Sequence, residues 1–240
     1  MDAPTSFAVI ALSGLIHASF QLSISLVTLL SGHAIGARTS AARTTRMTMA
    51  FFAGVVTMTA LSVSFLGYVG SQLFRHTVPT IAWAVVCGLM IGLGIAVWAF
   101  YYRRKKGTSL WIPRSFARFL ADRTKATKSS AESFSLGLVS VFSEGIFIIA
   151  PASAAALALI SFPAPVQLAG IALYTVTASL SLFIVIILIG AGHKLSRIQK
   201  WREDNKRFLQ FAAGSALLVL GFFLYVNTVV ASAVTNVGNM

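Results

Sequence analysis

The stretch Ser140-Val-Phe-Ser-Glu144-Gly-Ile-Phe-Ile-Ile-Ala-Pro151 places a carboxylate near the middle of a long apolar run. A charge at the bilayer centre costs about 2.5–3.5 kcal/mol, so a carboxylate that stays there is expected to face a cavity or a partner. Glu144 is the only acidic residue inside any apolar run of the chain. Pro151 lacks a backbone donor and is expected to kink or break the helix. The stretch therefore predicts a membrane helix, interrupted near Pro151, that carries a functional carboxylate.

The composition of the whole chain agrees with this prediction. Its 240 residues are 57% hydrophobic and only 10% charged, against about 25% charged residues in an average soluble domain. A helix needs about 20 apolar residues to cross a bilayer core. Six runs meet that requirement, and the first is longer than the apolar part of a signal peptide, so it is expected to be retained. The fold class is therefore an all-α membrane protein with six spans at residues 7–31, 47–71, 80–102, 134–160, 166–192 and 208–231.

The net charge of +13 is explained by membrane topology. Of the 19 basic residues, 18 lie in the stretches 32–46, 103–133 and 193–207, and only Arg75 lies elsewhere between spans. With six spans these three stretches share one side, and basic loops remain in the cytoplasm. The pattern predicts a bacterial inner (plasma) membrane protein with both termini outside. It also predicts contact between the basic loops and anionic lipid headgroups, and it does not favour nucleic-acid binding.

The second half of the chain repeats features of the first. Aligning Gly14-Leu15 with Gly137-Leu138, an offset of 123, places His17 on Ser140 and Gln21 on Glu144. Two further matches follow in the corresponding spans, between the segments 57–60 and 175–178 and between the segments 93–94 and 220–221. Because each unit has three spans, the two copies must be inverted, as in many secondary transporters. The predicted organisation is a first repeat at 1–102, a basic connector at 103–133 and a second repeat at 134–240.

The connector is expected to contain a short amphipathic helix. The segment opens at Pro113 and carries apolar residues that suit the headgroup layer, with arginines that would meet anionic lipid. These apolar residues are Trp111, Phe116, Phe119 and Leu120.

Polar residues inside the spans define a candidate site for substrate and protons. In span one, residues 13, 17, 21, 25 and 28 are polar and recur on one helix face. Such a stripe serves either helix packing or a solute-facing surface, and His17 and Gln21 favour the second. Desolvation favours the protonated form of a carboxyl group, which suits a proton carrier. The predicted site residues are Glu144, His17, Gln21, Ser140, Ser143, Pro151, Thr57, Thr59, Thr175 and Thr177.

These features resemble the LysE superfamily of small exporters, which includes the thiol-reductase component CcdA and cation and nickel transport branches. The likeness rests on the three-plus-three plan, on Gly14-Leu15 and Gly137-Leu138, and on the glycine-rich turn Ser31-Gly-His-Ala-Ile-Gly36. The chain departs from the branches in several motifs. Span one has no Pro-Gly-Pro, the signature acids of the cation exchangers and the His-rich nickel motif are absent, and Cys87 is the sole cysteine. The resemblance implies a transporter without naming its cargo.

Three functions remain open from the sequence. The leading hypothesis is a secondary exporter that moves a small polar solute with proton coupling through a midplane site. The first alternative is a divalent metal-cation transporter that uses Glu144 and His17 as ligands, although hard cations prefer several oxygen ligands. The second is a non-transporting membrane scaffold or accessory subunit. No enzyme motif, cofactor motif or P-loop is present, so an enzyme is not predicted, and a homo-oligomer is compatible with the sequence.

Overall fold

The computed structural model describes residues 1–20, 23–36, 41–75, 77–101, 114–191 and 195–238. These residues form helices, with no strand among them. Two short π-helical segments, Val97–Tyr101 and Tyr225–Val230, follow α4 and α10. The helices in chain order are α1 (Ala3–Ser19), α2 (Ser23–Gly36), α3 (Ala41–Phe74), α4 (Thr80–Ala96), α5 (Arg114–Ala126), α6 (Ser130–Ser143), α7 (Gly145–Leu159), α8 (Ala164–Gly190), α9 (Leu195–Asp204), α10 (Lys206–Leu224) and α11 (Ala231–Gly238).

Between four and six of these elements are long and apolar enough to cross a membrane. Four continuous helical stretches qualify alone, and they correspond to the predicted spans two, three, five and six. Two further spans qualify only as bent pairs. Helices α1 and α2 meet at 47°, and helices α6 and α7 meet at 82°. The prediction of a membrane protein built from apolar helices is confirmed at this level.

The interruption in span four lies at Glu144 and not at Pro151. Helix α6 ends at Ser143 and helix α7 begins at Gly145, while Pro151 lies inside α7, which continues through it to Leu159. A proline is tolerated within a membrane helix where neighbouring helices satisfy the freed backbone group. Pro151 meets that condition, because it is buried in a helix of which eleven of the fifteen residues are buried. The prediction that Pro151 breaks the helix was therefore wrong in position.

Helix α7 lies at the centre of the molecule. It contacts α1, α3, α4 and α8, and its many alanines let these neighbours approach from several sides. Leu157 and Leu159 belong to the same apolar core as Val9, Ile10 and Met90. A second apolar core surrounds α2, α3, α6 and α8 and includes Phe51 and Leu182. Helix α6 of the bent span four contributes to the second core, whereas α7 contributes mainly to the first and adds Ile148 to the second.

Two close helix crossings position the bent spans. Gly137 of α6 lies against the backbone of α3, where an added Cβ would overlap the carbonyl oxygen of Phe51. Gly14 of α1 lies against α8, where an added Cβ would overlap the hydroxyl of Thr177. Small residues at such positions permit close helix packing in membranes. The crossings therefore fix α1 on α8 and α6 on α3.

The connector helix is docked on the protein rather than lying free in the lipid surface. Leu120 of α5 is 1% exposed and packs in the second core, whereas Phe119 remains half exposed. The expectation that both face the headgroup layer is therefore wrong for Leu120. Trp111 and the side chain of Phe116 lie outside the described residues. The basic stretch 193–207 contains helix α9.

Candidate functional site

Glu144 and His17 come together in the interior of the molecule. The Nε2 atom of His17 lies 3.6 Å from the Oε2 atom of Glu144, and each side chain is 1% exposed. His17 lies near the end of α1, and Glu144 lies between α6 and α7. The two groups therefore belong to the two bent spans and meet beside both bends.

Tyr174 of α8 is the third member of the cluster. Its hydroxyl lies 3.0 Å from Nδ1 of His17, and the two rings are tilted by 47° with centroids 5.8 Å apart. Tyr174 is also 1% exposed and lies within electrostatic reach of the Glu144 carboxylate. The other imidazole nitrogen, Nε2, faces Glu144. The imidazole of His17 therefore lies between the phenol and the carboxylate.

The backbone at Glu144 joins two helices. The Glu144 amide donates to the carbonyl of Val141, and its own carbonyl accepts from the amides of Phe147 and Ile148. Its side chain forms no capping hydrogen bond with α7, and the carboxylate lies towards His17. No Cβ clash arises at Gly145.

Two contacts hold the bends against their neighbours. Phe20, at the end of α1, stacks on Phe147, in the first turn of α7, with centroids 4.9 Å apart and planes 9° from parallel. The hydroxyl of Ser181 on α8 donates to the carbonyl oxygen of Ala18 at 2.7 Å. Carbonyl groups in the last turn of a helix lack intrahelical partners, so Ser181 supplies one inside the protein.

The serines predicted for the site lie beside it and bond within their own helix. Ser140 donates to the carbonyl of Gly137, and Ser143 donates to the carbonyl of Ser140. Both side chains are buried. Such bonds to the preceding turn bend helices, and here they end at the break. Gln21 lies outside the described residues.

The threonines predicted for the site divide into three cases. Thr57 is exposed on α3 and so does not join the cluster. Thr59 is buried, and its hydroxyl has no hydrogen-bond partner among the described residues. Thr175 and Thr177 donate to carbonyls of their own helix, at Ile171 and Leu173 respectively. Thr177 also lies at the crossing with Gly14.

Tyr174, Phe20, Phe147 and Ser181 were missed by the sequence interpretation. A tyrosine near the middle of an apolar span was the available signal for Tyr174, because a buried phenolic hydroxyl usually finds a partner. The phenylalanines give no such signal among the 18 in the chain. The serine signal is equally weak, since membrane helices often contain serine at packing contacts.

The cluster can hold and exchange a proton, since it joins a carboxylate, an imidazole and a phenol away from solvent. Among the described residues, no three side chains of His, Cys, Asp or Glu group closely enough to hold a metal ion. No protein-family model, curated protein or solved structure matches the chain.

Proposed function

We propose that the chain is a secondary membrane transporter that couples a proton at the Glu144–His17 pair to the movement of a small polar solute. The observation that carries the proposal is the burial of both groups where the two bent spans meet, 3.6 Å apart. Ionisable groups inside membrane spans commonly belong to ion or proton pathways. Discontinuous helices commonly form the binding sites of transporters near the midplane.

Burial of the pair links proton exchange to a change of shape. With one proton shared between them, Glu144 and His17 are neutral as a pair, whether as carboxylate and imidazolium or as acid and imidazole. Losing that proton leaves one negative charge, and gaining a second leaves one positive charge. An uncompensated charge is costly in a buried site. The closed form therefore retains one proton, and exchange requires an opening to water.

The bends offer the place for that opening. Phe20 stacks on Phe147 across the two breaks, so separation of the α1 and α7 ends would expose the pair. Opening on alternate sides of the membrane would then deliver the proton and the solute in turn. We expect the solute to bind next to Glu144 and His17, where its binding would displace the proton that they share.

Contacts between the two halves support an inverted duplication. Gly14 packs against Tyr174 and Thr177, and Gly137 packs against Phe51 and Gly54. The first-half residues in these contacts are Gly14, Phe51 and Gly54. Their counterparts 123 positions later are Gly137, Tyr174 and Thr177, respectively. This register differs from the threonine match at an offset of 118, which places Thr57 on Thr175. We therefore prefer the offset of 123 for both the first and second spans of each half.

The third spans add a reciprocal contact. A Cβ on Gly94 would lie 2.8 Å from Cγ of Leu218, and a Cβ on Gly221 would lie 2.9 Å from Cγ1 of Ile91. Gly94 and Ile91 are each 127 positions before Gly221 and Leu218. The offset of 127 therefore turns the contact between Gly94 and Leu218 into the contact between Gly221 and Ile91. Two-fold symmetry produces reciprocal contacts of this kind. It supports six spans in a three-plus-three plan, of the kind that the LysE superfamily resemblance implies.

The positive-inside rule supports the orientation that we propose. Both termini lie outside, the basic stretches lie in the cytoplasm of a bacterial inner membrane, and transport runs outward. Arg43 in the first basic stretch donates to the carbonyl oxygen of Lys128 in the second at 2.7 Å, which agrees with their sharing one side.

Proton release from the purified full chain in weakly buffered detergent tests the proposal. Amino acids, organic anions and divalent metal ions are added in turn to wild type, Glu144→Gln and Glu132→Gln. Glu132 is the matched control, because it is an exposed carboxylate whose capping role glutamine can retain. We expect one solute class to release up to about one proton per chain from wild type and Glu132→Gln, with none from Glu144→Gln.

The other outcomes separate the alternatives. Release from Glu144→Gln equal to that from wild type would exclude Glu144 as the coupling group. Release with metal ions alone would favour the metal-cation transporter. The absence of proton release with every solute class would favour a non-transporting scaffold or accessory subunit. The tight crossings at Gly14 and Gly137 are also compatible with that function.

A further inference from the structure

A groove at the connector helix lies apart from the Glu144 cluster. It is formed between α5 and the first two turns and a half of α6, and its volume is about 390 Å³. That volume falls within the range of small-molecule sites, roughly 300–1,000 Å³. The groove is lined by Phe119, Leu120, Arg123, Ala126, Thr127, Ala131, Glu132, Ser135, Leu136 and Val139.

The lining is divided by chemistry. Phe119, Leu136 and Val139 provide an apolar wall, and Arg123 provides a cationic donor beside it. The hydroxyl of Thr127 already donates to the carbonyl oxygen of Arg123. The guanidinium of Arg123 lies over the Phe119 ring, 5.4 Å from its centroid. The cation is therefore held beside the apolar wall. A ligand that fits both parts must carry an apolar chain and a negative group.

The one carboxylate in the lining, that of Glu132, already accepts hydrogen bonds from the backbone. The Oε2 atom of Glu132 accepts from the amides of Lys128 at 2.6 Å and Ser129 at 3.1 Å, which completes the N-terminal cap of α6. These hydrogen bonds stabilise the ionised carboxylate and fix its position at the helix end. Lys128 also brings Arg43 to this end of α6, since Arg43 donates to its carbonyl oxygen. The stretch 103–133, which forms one side of the groove, holds nine basic residues against two acidic ones, Asp122 and Glu132, so the connector around the groove is predominantly positive.

We propose that this groove binds one anionic phospholipid, with an acyl chain on the apolar wall and the phosphate at Arg123. Charge complementarity selects this occupant, because basic side chains near a membrane surface attract anionic headgroups. Helix α5 is amphipathic and docks on the bundle through Leu120, so its outer side is free to face lipid. The bound lipid would brace α5 against α6, the half of span four that ends at Glu144.

Lipid binding to the full chain in detergent tests this site. Phosphatidylglycerol, phosphatidylcholine and inorganic phosphate are added separately, while native mass spectrometry counts bound lipid and thermal unfolding gives Tm. We expect phosphatidylglycerol to bind as one retained copy and to raise Tm, with weaker effects from phosphatidylcholine and none from phosphate. Arg123→Gln should weaken phosphatidylglycerol binding about five- to tenfold, as loss of one basic contact near a headgroup would.

Two matched variants make the result specific. Arg118→Gln removes an exposed arginine on the same helix that does not line the groove, and it should bind lipid as wild type does. Ser135→Trp fills the groove from an exposed position while keeping every charge, and it should lose the retained copy. Equal loss in Arg118→Gln and Arg123→Gln, equal binding of the two lipids, full retention of the lipid in Ser135→Trp, or a Tm rise with phosphate alone would each overturn the proposal.

Discussion

Tyr174 gives His17 a second partner and so decides which imidazole nitrogen faces Glu144. The phenol lies at Nδ1 and the carboxylate lies towards Nε2. A histidine between two fixed partners has a defined orientation, and this matters for a group that transfers protons. The counterparts of Tyr174 and His17 in the proposed duplication are Phe51 and Ser140, neither of which titrates near neutral pH. The protein would therefore have one proton-exchanging cluster, although the helices that form it occur in both halves of the proposed duplication.

Replacing Tyr174 by Phe should change the state of the His17 Nδ1 atom. The substitution keeps the ring and removes the hydroxyl that lies 3.0 Å from that nitrogen. We expect the ¹⁵N resonance of Nδ1 to shift in histidine-labelled protein, because that nitrogen loses its hydrogen-bond partner. Tyr225→Phe is the control, because Tyr225 is 41% exposed in the π-helical segment after α10. An unchanged His17 spectrum in Tyr174→Phe would contradict the assigned role.

At the scale of the helices, the bends determine where the site forms. A straight span would carry Glu144 past α1 among apolar side chains, whereas the 82° turn places it at a helix terminus. Ser140 and Ser143 bond backwards into α6 just before the turn, and Glu144 closes it through its own backbone. The bend therefore has a local cause in the sequence 140–145 together with its packing between α1, α3 and α8.

Much of this architecture could be predicted from hydropathy and charge. The apolar runs located the helices, and the isolated Glu144 and His17 identified the polar centre, because such groups are costly in a bilayer unless they serve a purpose. The position of the break could not be predicted. Proline is the strongest local signal for a break, but Pro151 is accommodated by packing that only the folded chain provides.

Helix contacts were also hard to predict from glycine spacing. Gly88 and Gly92 form a small-xxx-small pattern that predicts a close contact, yet an added Cβ at either meets nothing within 4 Å. Gly137, which has a serine and not a glycine four residues before it, lies instead at a close crossing with α3. The spacing of small residues indicates where helices can approach, whereas the neighbours that approach are decided by the whole bundle.

Gly137→Ala should destabilise the protein strongly. The new Cβ would overlap the carbonyl oxygen of Phe51, which belongs to the backbone and cannot swing aside. Overpacking costs about 1–3 kcal/mol, and we expect a loss near the upper end in unfolding from detergent micelles. Gly88→Ala is the matched control, since it adds the same atom to open space and improves helix propensity. Equal stability of the two variants would refute this crossing.

At the scale of the whole molecule, the proposed duplication and the charge distribution make one joint prediction. Three spans in each half invert the second copy, so every second connection lies on the same side of the membrane. The basic residues follow that alternation, with Arg75 as the exception. A chain with only four spans, in which the bent pairs do not cross, would place some basic stretches on opposite sides. The number of crossings and the orientation are therefore decided by the same experiment.

Single-cysteine labelling in intact cells should locate the connections. Cys87 is the only cysteine and is fully buried, so Cys87→Ala provides a clean background for new cysteines at exposed positions. We expect a membrane-impermeant maleimide to label Thr77→Cys and Ser161→Cys in intact cells. Asp122→Cys and Asp204→Cys should react only after permeabilisation. If the bent pairs do not cross, Thr77→Cys and Asp204→Cys should instead react from one side, and Asp122→Cys and Ser161→Cys from the other, which would contradict six crossings. The reverse assignment of the original pairs would keep six crossings and place the termini in the cytoplasm.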